Sequence, residues 1–326
     1  MLMHHMFTVG LDVDKFVSTV KILLYAGNFL INGPLALMAL GTIPLFKEQS
    51  AGNLYYYACT LYVKSKRGFS SNQKPLTVSE HVGHHKIPNS EDAFGYYLAG
   101  LIQGNGKLNA KDLHITFSIK DVSLAYYIKK RIGFGKVQSL DGFTIKYLCN
   151  HINGLTRILS LVNGKFMKSD NSYCLNIDNI DLYSGELSLN NYWLTGFTQV
   201  AGTFSVKISE SRNVSFSFSL IHNDLTLLRN LKDLIKKGTV DLFYLDLKVK
   251  ENSARYIYKC TDLSSAYLLI KYFDAFHLFA QKYVSFLKWR KVFIMVNNDL
   301  HLEQRGINKI ISIISKGSSE TSTQEV

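Results

Sequence analysis

Tyr96-Tyr97-Leu98-Ala99-Gly100-Leu101-Ile102-Gln103-Gly104-Asn105-Gly106 returns in altered form as Tyr192-Trp193-Leu194-Thr195-Gly196-Phe197-Thr198-Gln199-Val200-Ala201-Gly202. An apolar run that ends in a small-residue turn, and repeats once about a domain's length later, predicts a pseudo-twofold duplicate. Ala99, Gly100 and Gly196 carry too little side chain to hold two helices apart, so the stretches are expected to cross in close contact. Each helix then delivers its last residues to one central point.

The pair resembles the motif helices of the LAGLIDADG homing endonuclease and maturase family, in the single-chain form with two motifs, and the resemblance runs from about Phe94 to the end. It implies an α+β fold in which two αββαββα repeats form a saddle of two four-stranded antiparallel sheets, with the motif helices packed at the centre of a monomer. In that family an acidic residue precedes the last glycine of each motif, and the two carboxylates hold divalent metal. Those positions are Asn105 and Ala201 here, and Gln103 and Gln199 stand where a neighbouring acid is expected. Two-metal phosphodiester hydrolysis needs hard oxygen ligands that hold Mg²⁺ and position water. Asparagine offers one neutral oxygen and alanine none, so no metal is expected, and Mg²⁺ only if nuclease activity survives. Asp92, Asp141 and Asp170 do not lie at a helix end and are not expected to substitute.

The family also sets a basic residue from each repeat near the centre. Lys282 in Phe279-Ala280-Gln281-Lys282 matches that position, with Lys165 or Lys168 as its expected counterpart. Strand alternation gives outward side chains that would meet a duplex groove, bases read by polar tips and phosphates held by cations. The first repeat offers Lys107, Asn109, Lys111, His114, Thr116, Ser118, Lys136 and Lys146. The second offers Ser205, Lys207, Ser209, Arg212, Ser215, Ser217, Lys248 and Lys250, a serine-rich set that departs from the long polar side chains expected on a duplex-reading surface.

Periodicity supplies the remaining elements. Leu113–Ile119 alternates as a strand, Val122–Ile132 reads as a helix stopped by Gly133, Val137–Leu148 as a hairpin around Asp141-Gly142, and Ile152–Val162 as a closing helix. The second repeat follows suit. Thr203–Ser209 and Val214–Leu220 form a hairpin, Leu225–Lys237 a helix ended by Gly238, Val240–Val249 with Arg255–Cys260 a second hairpin, and Leu263–Phe273 a helix; the helical tail Leu278–Val296 and residues 303–310 resemble the family's C-terminal region. These readings place repeat one at 91–188, repeat two at 189–316 and a polar, disordered tail at 317–326.

Ahead of the repeats, Met3-His4-His5-Met6-Phe7-Thr8-Val9-Gly10-Leu11-Asp12-Val13-Asp14 looks like a piece of mitochondrial cytochrome c oxidase subunit 1, and the likeness stops at Lys15. Such a junction is expected where an intron reading frame continues from an upstream exon. Residues 1–14 are thus read as an exon-derived remnant without copper binding, and 15–90 as leader and linker. Within them Ile22–Phe46 is uncharged and long enough for a bilayer of about 30 Å, yet broken by asparagine, glycine and proline, which points to a removed leader or weak membrane association as readily as to a span.

The 326 residues carry a net charge of +12, which favours a polyanion through counterion release. With 47% hydrophobic residues and four prolines the chain can bury a large core. Cys59, Cys149, Cys174 and Cys260 are too scattered for a zinc motif and read as reduced thiols, and His81, His84 and His85 have no second ligand cluster nearby. The expected function is a mitochondrial, intron-encoded maturase without nuclease activity, in the matrix or at the inner membrane, that binds its group I intron RNA. The alternatives are a homing endonuclease cutting double-stranded DNA at the exon junction, and a binding protein or degenerating frame without catalysis.

Overall fold

A computed structural model describes residues 76–168, 175–176, 187–210, 212–244 and 254–315. The exon-like stretch, the Ile22–Phe46 tract, Cys59, Asp170, Cys174, Lys248, Lys250 and the tail lie outside the described residues. Among the described residues no helix is long and apolar enough to cross a membrane.

The first repeat runs α1 (Glu91–Asn105), β1 (Gly106–Asn109), β2 (Leu113–Ser118), a 3₁₀ turn (Ile119–Asp121), α2 (Val122–Ile132), β3 (Lys136–Ser139), β4 (Thr144–Cys149) and α3 (Ile152–Val162). After β5 (Leu175–Asn176) the order returns as α4 (Trp193–Ala201), β6 (Gly202–Ile208), β7 (Val214–His222), α5 (Leu225–Ile235), β8 (Thr239–Tyr244), β9 (Arg255–Cys260) and α6 (Leu263–Ala275). Two helices, α7 (Ala280–Asn297) and α8 (Gln304–Ser315), close the chain. The sheets have the same strand order, β3-β4-β2-β1 and β6-β7-β9-β8. The first is five-stranded rather than four-stranded, because the two residues of β5 pair parallel to β1 at Leu108 and Asn109. Two residues show no periodicity, which is why β5 is not legible in the sequence.

α1 and α4 cross backbone to backbone. A Cβ placed on Gly100 would lie 2.1 Å from the Trp193 carbonyl oxygen, and one on Gly196 would lie 2.0 Å from that of Tyr97. Gly104 belongs to the same contact, its Cβ position 2.4 Å from Val200 Cγ2. Contacts that close require glycine, and the reciprocity of Gly100 and Gly196 is the pseudo-twofold axis in atomic form.

The duplication extends into the sheets. Tyr147 donates to the Phe134 carbonyl at 2.8 Å and Tyr258 to the Lys237 carbonyl at 2.9 Å, each beside a glycine at φ +95° (Gly135, Gly238) and two residues before a buried free cysteine, Cys149 or Cys260. α2 ends at Gly133 in the left-handed region, as its sequence predicts, but α5 ends with Lys236 in that conformation. Gly238 therefore corresponds to Gly135, the strand-entry glycine, and not to the helix stop.

The folded unit begins before Glu91. Ser90 caps α1 by accepting the Ala93 N–H at 3.1 Å, and Glu91 in its first turn meets Arg157 at 3.0 Å and Arg131 at 3.3 Å. Residues 76–90, read from composition as linker, form an extended strap. The Leu76 carbonyl accepts from Asn297, the Ser79 carbonyl from Arg290 at 2.8 Å, the Lys86 N–H binds His277, and the Pro88 carbonyl accepts from Arg131 at 2.6 Å. Arg290, 3% exposed, also forks onto Asp274. The strap thus ties α6 and α7 of the second repeat to α2 of the first, an order supplied by partners far away in sequence.

The crossing is expected to tolerate no methyl group. Gly196→Ala should lower the unfolding free energy by about 3 kcal/mol through forced separation of the helices. Gly133→Ala, strained in φ but with open space around it, should cost about 1 kcal/mol. Urea denaturation of both variants checks the difference, and equal losses would mean that α1 and α4 do not cross at these glycines.

Candidate nucleic-acid interface and helix-end site

The ends of the motif helices are pinned by two equivalent amide clamps. The Gln103 amide donates to the Met167 carbonyl at 2.8 Å and accepts the Met167 N–H at 2.9 Å; Gln199 does the same to Phe279 at 3.2 and 3.0 Å. Both glutamines are buried, and Gln103 also takes the Trp193 indole N–H at 2.7 Å. A carboxylate has no N–H with which to satisfy those carbonyls. The glutamines are structural, a role that motif spacing alone does not reveal.

Beyond the clamps the helices end at Asn105 and Ala201, each running straight into a strand. Asn105 is exposed, and its amide donates to the Thr116 carbonyl of β2 at 3.1 Å. Ala201 is half-buried and has no side-chain oxygen. The donor set at the helix ends is one neutral amide oxygen, which does not fit the two-carboxylate chemistry that the resemblance implies for Mg²⁺. Among the described residues no group of three or more histidine, cysteine, aspartate or glutamate side chains is placed to hold a metal.

A cation comes to this centre instead. Lys282 donates to the Gly202 carbonyl, one residue past Ala201, at 2.5 Å. It is carried there by α7, which starts at Ala280 in the left-handed region at φ +45°, directly after the clamped Phe279. Burial pushes the Lys282 ammonium down from its ordinary value, and the nearby Asp121 carboxylate raises it part of the way back. Asp121 is 8% exposed; burial raises its carboxyl, while Lys282 and a hydrogen bond from the Gln281 N–H lower it. Its Oδ1 has no partner. Asp121 of the first repeat thus faces the first turn of α7 in the second, where a negative charge suits the helix dipole. Its counterpart Asp224 caps its own helix through the Leu227 N–H at 2.8 Å.

Lys165 does not join Lys282. Its Nζ lies 3.4 Å from Asp92 and over the Tyr96 ring, towards the N-terminal end of α1, because Lys165 precedes the clamped Met167 whereas Lys282 follows the clamped Phe279. Lys168 is exposed and adjoins Met167. Counting from the two clamps, the position equivalent to Lys282 is Asp170. His222, unremarked in the sequence, binds the Gln103 carbonyl at 2.8 Å from β7. Its Nδ1 accepts the Asp224 N–H, so the tautomer assigned from these bonds carries hydrogen on Nε2, and burial holds its pKa below the ordinary value.

Register sorts the sheet candidates. On the first sheet Lys107, His114, Leu148 and Lys136 form one cross-strand row, and Thr116, Lys146 and Gln138 form the next. Lys107 and Lys136 are exposed, Lys146 and Thr116 half-buried, Lys111 exposed in the β1–β2 turn and Ser118 exposed at the end of β2. Asn109 is occupied: its oxygen accepts the Lys111 and Asp112 N–H groups and its amide donates to Asp112, so it builds the β1–β2 turn. On the second sheet Ser205 pairs with Ser217 and Lys207 with Ser215, and Ser209 holds the turn. Arg212 sits in that turn with φ +62° and donates to Gln304 of α8, which removes it from the sheet face. Register adds two exposed cations that the sequence reading missed, Lys259 beside Ser219 and Thr239, and Arg255 opposite Tyr244.

Residues 194–293 match the model of the LAGLIDADG endonuclease family. The "Uncharacterized cox1 intron-2 37.2 kDa protein" of Schizosaccharomyces pombe is 32% identical over 252 residues, which cover 72% of this chain and 75% of that one. The chain belongs to the LAGLIDADG endonuclease family. It is also 23% identical to the "Intron-encoded DNA endonuclease aI3" of Saccharomyces cerevisiae, over 72% of this chain and 71% of that one. With the "Intron-encoded RNA maturase bI4" of the same yeast it shares 28% identity, over 43% of this chain and 25% of that one. The LAGLIDADG meganuclease I-AabMI, solved bound to uncleaved DNA, superposes with a TM-score of 0.54 at 20% identity, over 68% of this chain and 98% of that one, and so has the same fold.

The Asp121–Lys282 couple makes a pH-dependent test. Asp121→Asn should cost about 2 kcal/mol near neutral pH, because Lys282 keeps its burial and loses its opposing charge. A lysine whose folded pKa is depressed binds more protons unfolded than folded. The variant's stability should therefore recover as pH rises from the folded pKa of Lys282 towards the unfolded value of about 10.4. Urea midpoints measured across that range check it; a loss that stays constant with pH would show that the two groups are not coupled.

Proposed function

We propose that this intron-encoded LAGLIDADG protein is a maturase that has lost its nuclease, acting in mitochondria on the group I intron RNA that encodes it within the oxidase subunit 1 gene. The observation that carries the reading is the helix-end pair Asn105 and Ala201 on an otherwise intact scaffold, with the Lys282 ammonium on the Gly202 carbonyl just past Ala201. Helix ends without carboxylates beside a lysine suit a phosphate held in place and do not suit hydrolysis, where charge must be taken up by metal as it develops. Binding a folded RNA needs the positive chain and its sheet faces and no metal-binding acids. The relative named an RNA maturase supports the same direction, and the cox1 intron relative supports the gene.

The second reading is a site-specific DNA endonuclease, favoured by the fold and by the relative named a DNA endonuclease. The full-length protein, given Mg²⁺, joined-exon duplex DNA and the intron RNA, separates the two. A maturase should bind the RNA tightly, accelerate its splicing and leave the duplex whole, whereas cleavage at the exon junction would overturn the proposal. Asn105→Asp combined with Ala201→Asp should restore Mg²⁺-dependent nicking if the groove still admits DNA; an intact fold with no nicking would mean that the DNA surface has drifted as well.

A further inference from the structure

The two outer hairpins, β3–β4 and β8–β9, are pseudo-symmetric equivalents at corresponding edges of their sheets, and both carry uncovered aromatic side chains. Phe143 is 80% exposed, the largest value for a big apolar side chain among the described residues. Its backbone is nevertheless held in place. Asp141 Oδ1 accepts the Phe143 N–H at 3.0 Å and the Thr144 N–H at 2.6 Å, Gly142 takes φ +78°, and the Phe143 carbonyl accepts the Ile119 N–H at 2.7 Å. A turn fixed by four such features sets the backbone position from which the ring projects. On the equivalent hairpin Phe243 and Tyr244 are each 54% exposed. A register shift between Leu242 and Tyr244 leaves Phe243 in a bulge, the device that re-aims a side chain at a sheet edge. Tyr244 pairs across the strands with the exposed Arg255.

Apolar rings on a chain of net charge +12 gain nothing from duplex phosphates, which salt-bridge to cations. They gain from the faces of unpaired bases, and a guanidinium beside a tyrosine adds a second stacking plane and a phosphate contact. We propose that Phe143 on one hairpin, and Phe243 and Tyr244 with Arg255 on the other, are stacking sites for unpaired RNA nucleotides flanking the central site. This rests on the maturase reading and deepens it, because it assigns the outer ends of the sheets to single-stranded segments of the folded intron and not to duplex.

Phe143→Ala and the double change Phe243→Ala with Tyr244→Ala, each made in the full-length protein, test it by titration with the intron RNA, a short unstructured pyrimidine RNA and duplex DNA. All three side chains are exposed, so thermal midpoints should stay put. Each variant should bind the pyrimidine RNA about tenfold more weakly, with an unchanged slope of log affinity against log salt, and should bind the duplex as the parent does. Phe143→Trp should restore the RNA affinity. If the parent binds no RNA, the maturase reading falls together with this one. If the parent holds the intron RNA and the alanine variants hold the pyrimidine RNA just as tightly, the stacking assignment alone is wrong. Equal losses on RNA and duplex would make the hairpins general backbone contacts and likewise overturn it.

Discussion

Two helices whose backbones touch, with no side chain between them, set the position of everything else in this protein. Because Gly100 rests on the Trp193 carbonyl and Gly196 on the Tyr97 carbonyl, α1 and α4 can take only one offset along each other. That offset fixes where Asn105 and Ala201 emerge, and since Gly106 and Gly202 follow at once as strand residues, it also fixes the first strand of each sheet. The glutamine clamps then carry the same geometry outward: Gln103 binds the chain beyond α3, and Gln199 binds the chain that becomes α7. A close crossing at the centre is what lets a duplicated sequence act as one body with a single twofold axis.

Elements with a strong internal period were legible in the sequence. α2 and α3 have the bounds that their apolar spacing predicts, β2 and β7 alternate as expected, and the twofold order of elements follows from the repeated motif. What was not legible depends on partners distant in the chain. The strap at 76–90 is polar and basic, and its order comes from Arg290, Asn297, His277 and Arg131. Asn109 and Arg212 look like groove-facing residues until the turn bonds of one and the Gln304 contact of the other are seen. The outward placing of Lys259 and Arg255 depends on strand register, which the alternation within β9 does not fix. Lys165 was placed by sequence likeness, and the clamp at Met167 puts it on the wrong side of the centre.

At the centre the motif helices end in Asn105 and Ala201, without carboxylates, on an intact scaffold. Two carboxylates at the ends of apposed helices repel one another and lie at the unfavourable ends of both dipoles, an arrangement that costs stability unless metal or phosphate chemistry repays it. Asparagine and alanine remove that repulsion. Lys282, at the C-terminal end of α4, now complements the same dipole that a carboxylate would oppose. The helix ends are therefore better matched electrostatically without acids than with them, so nothing in the fold's own stability opposes the loss.

Under the proposed function, binding outlives catalysis. Hydrolysis depends on two oxygen ligands at two positions, and one substitution at each is enough to abolish the donor set. Binding depends on cations and rings spread over two sheets and two hairpins, where each contact contributes a modest share and the contributions are largely independent. Lys107, Lys136 and Lys207 remain exposed on strands whose opposite faces are locked into the core, and the turn at Asp141 still holds Phe143 in water against the hydrophobic cost of leaving it there. A rigid turn that keeps Phe143 exposed, matched by the exposed Phe243 and Tyr244 on the twofold-related hairpin, suits the proposed binding role, which needs no carboxylates.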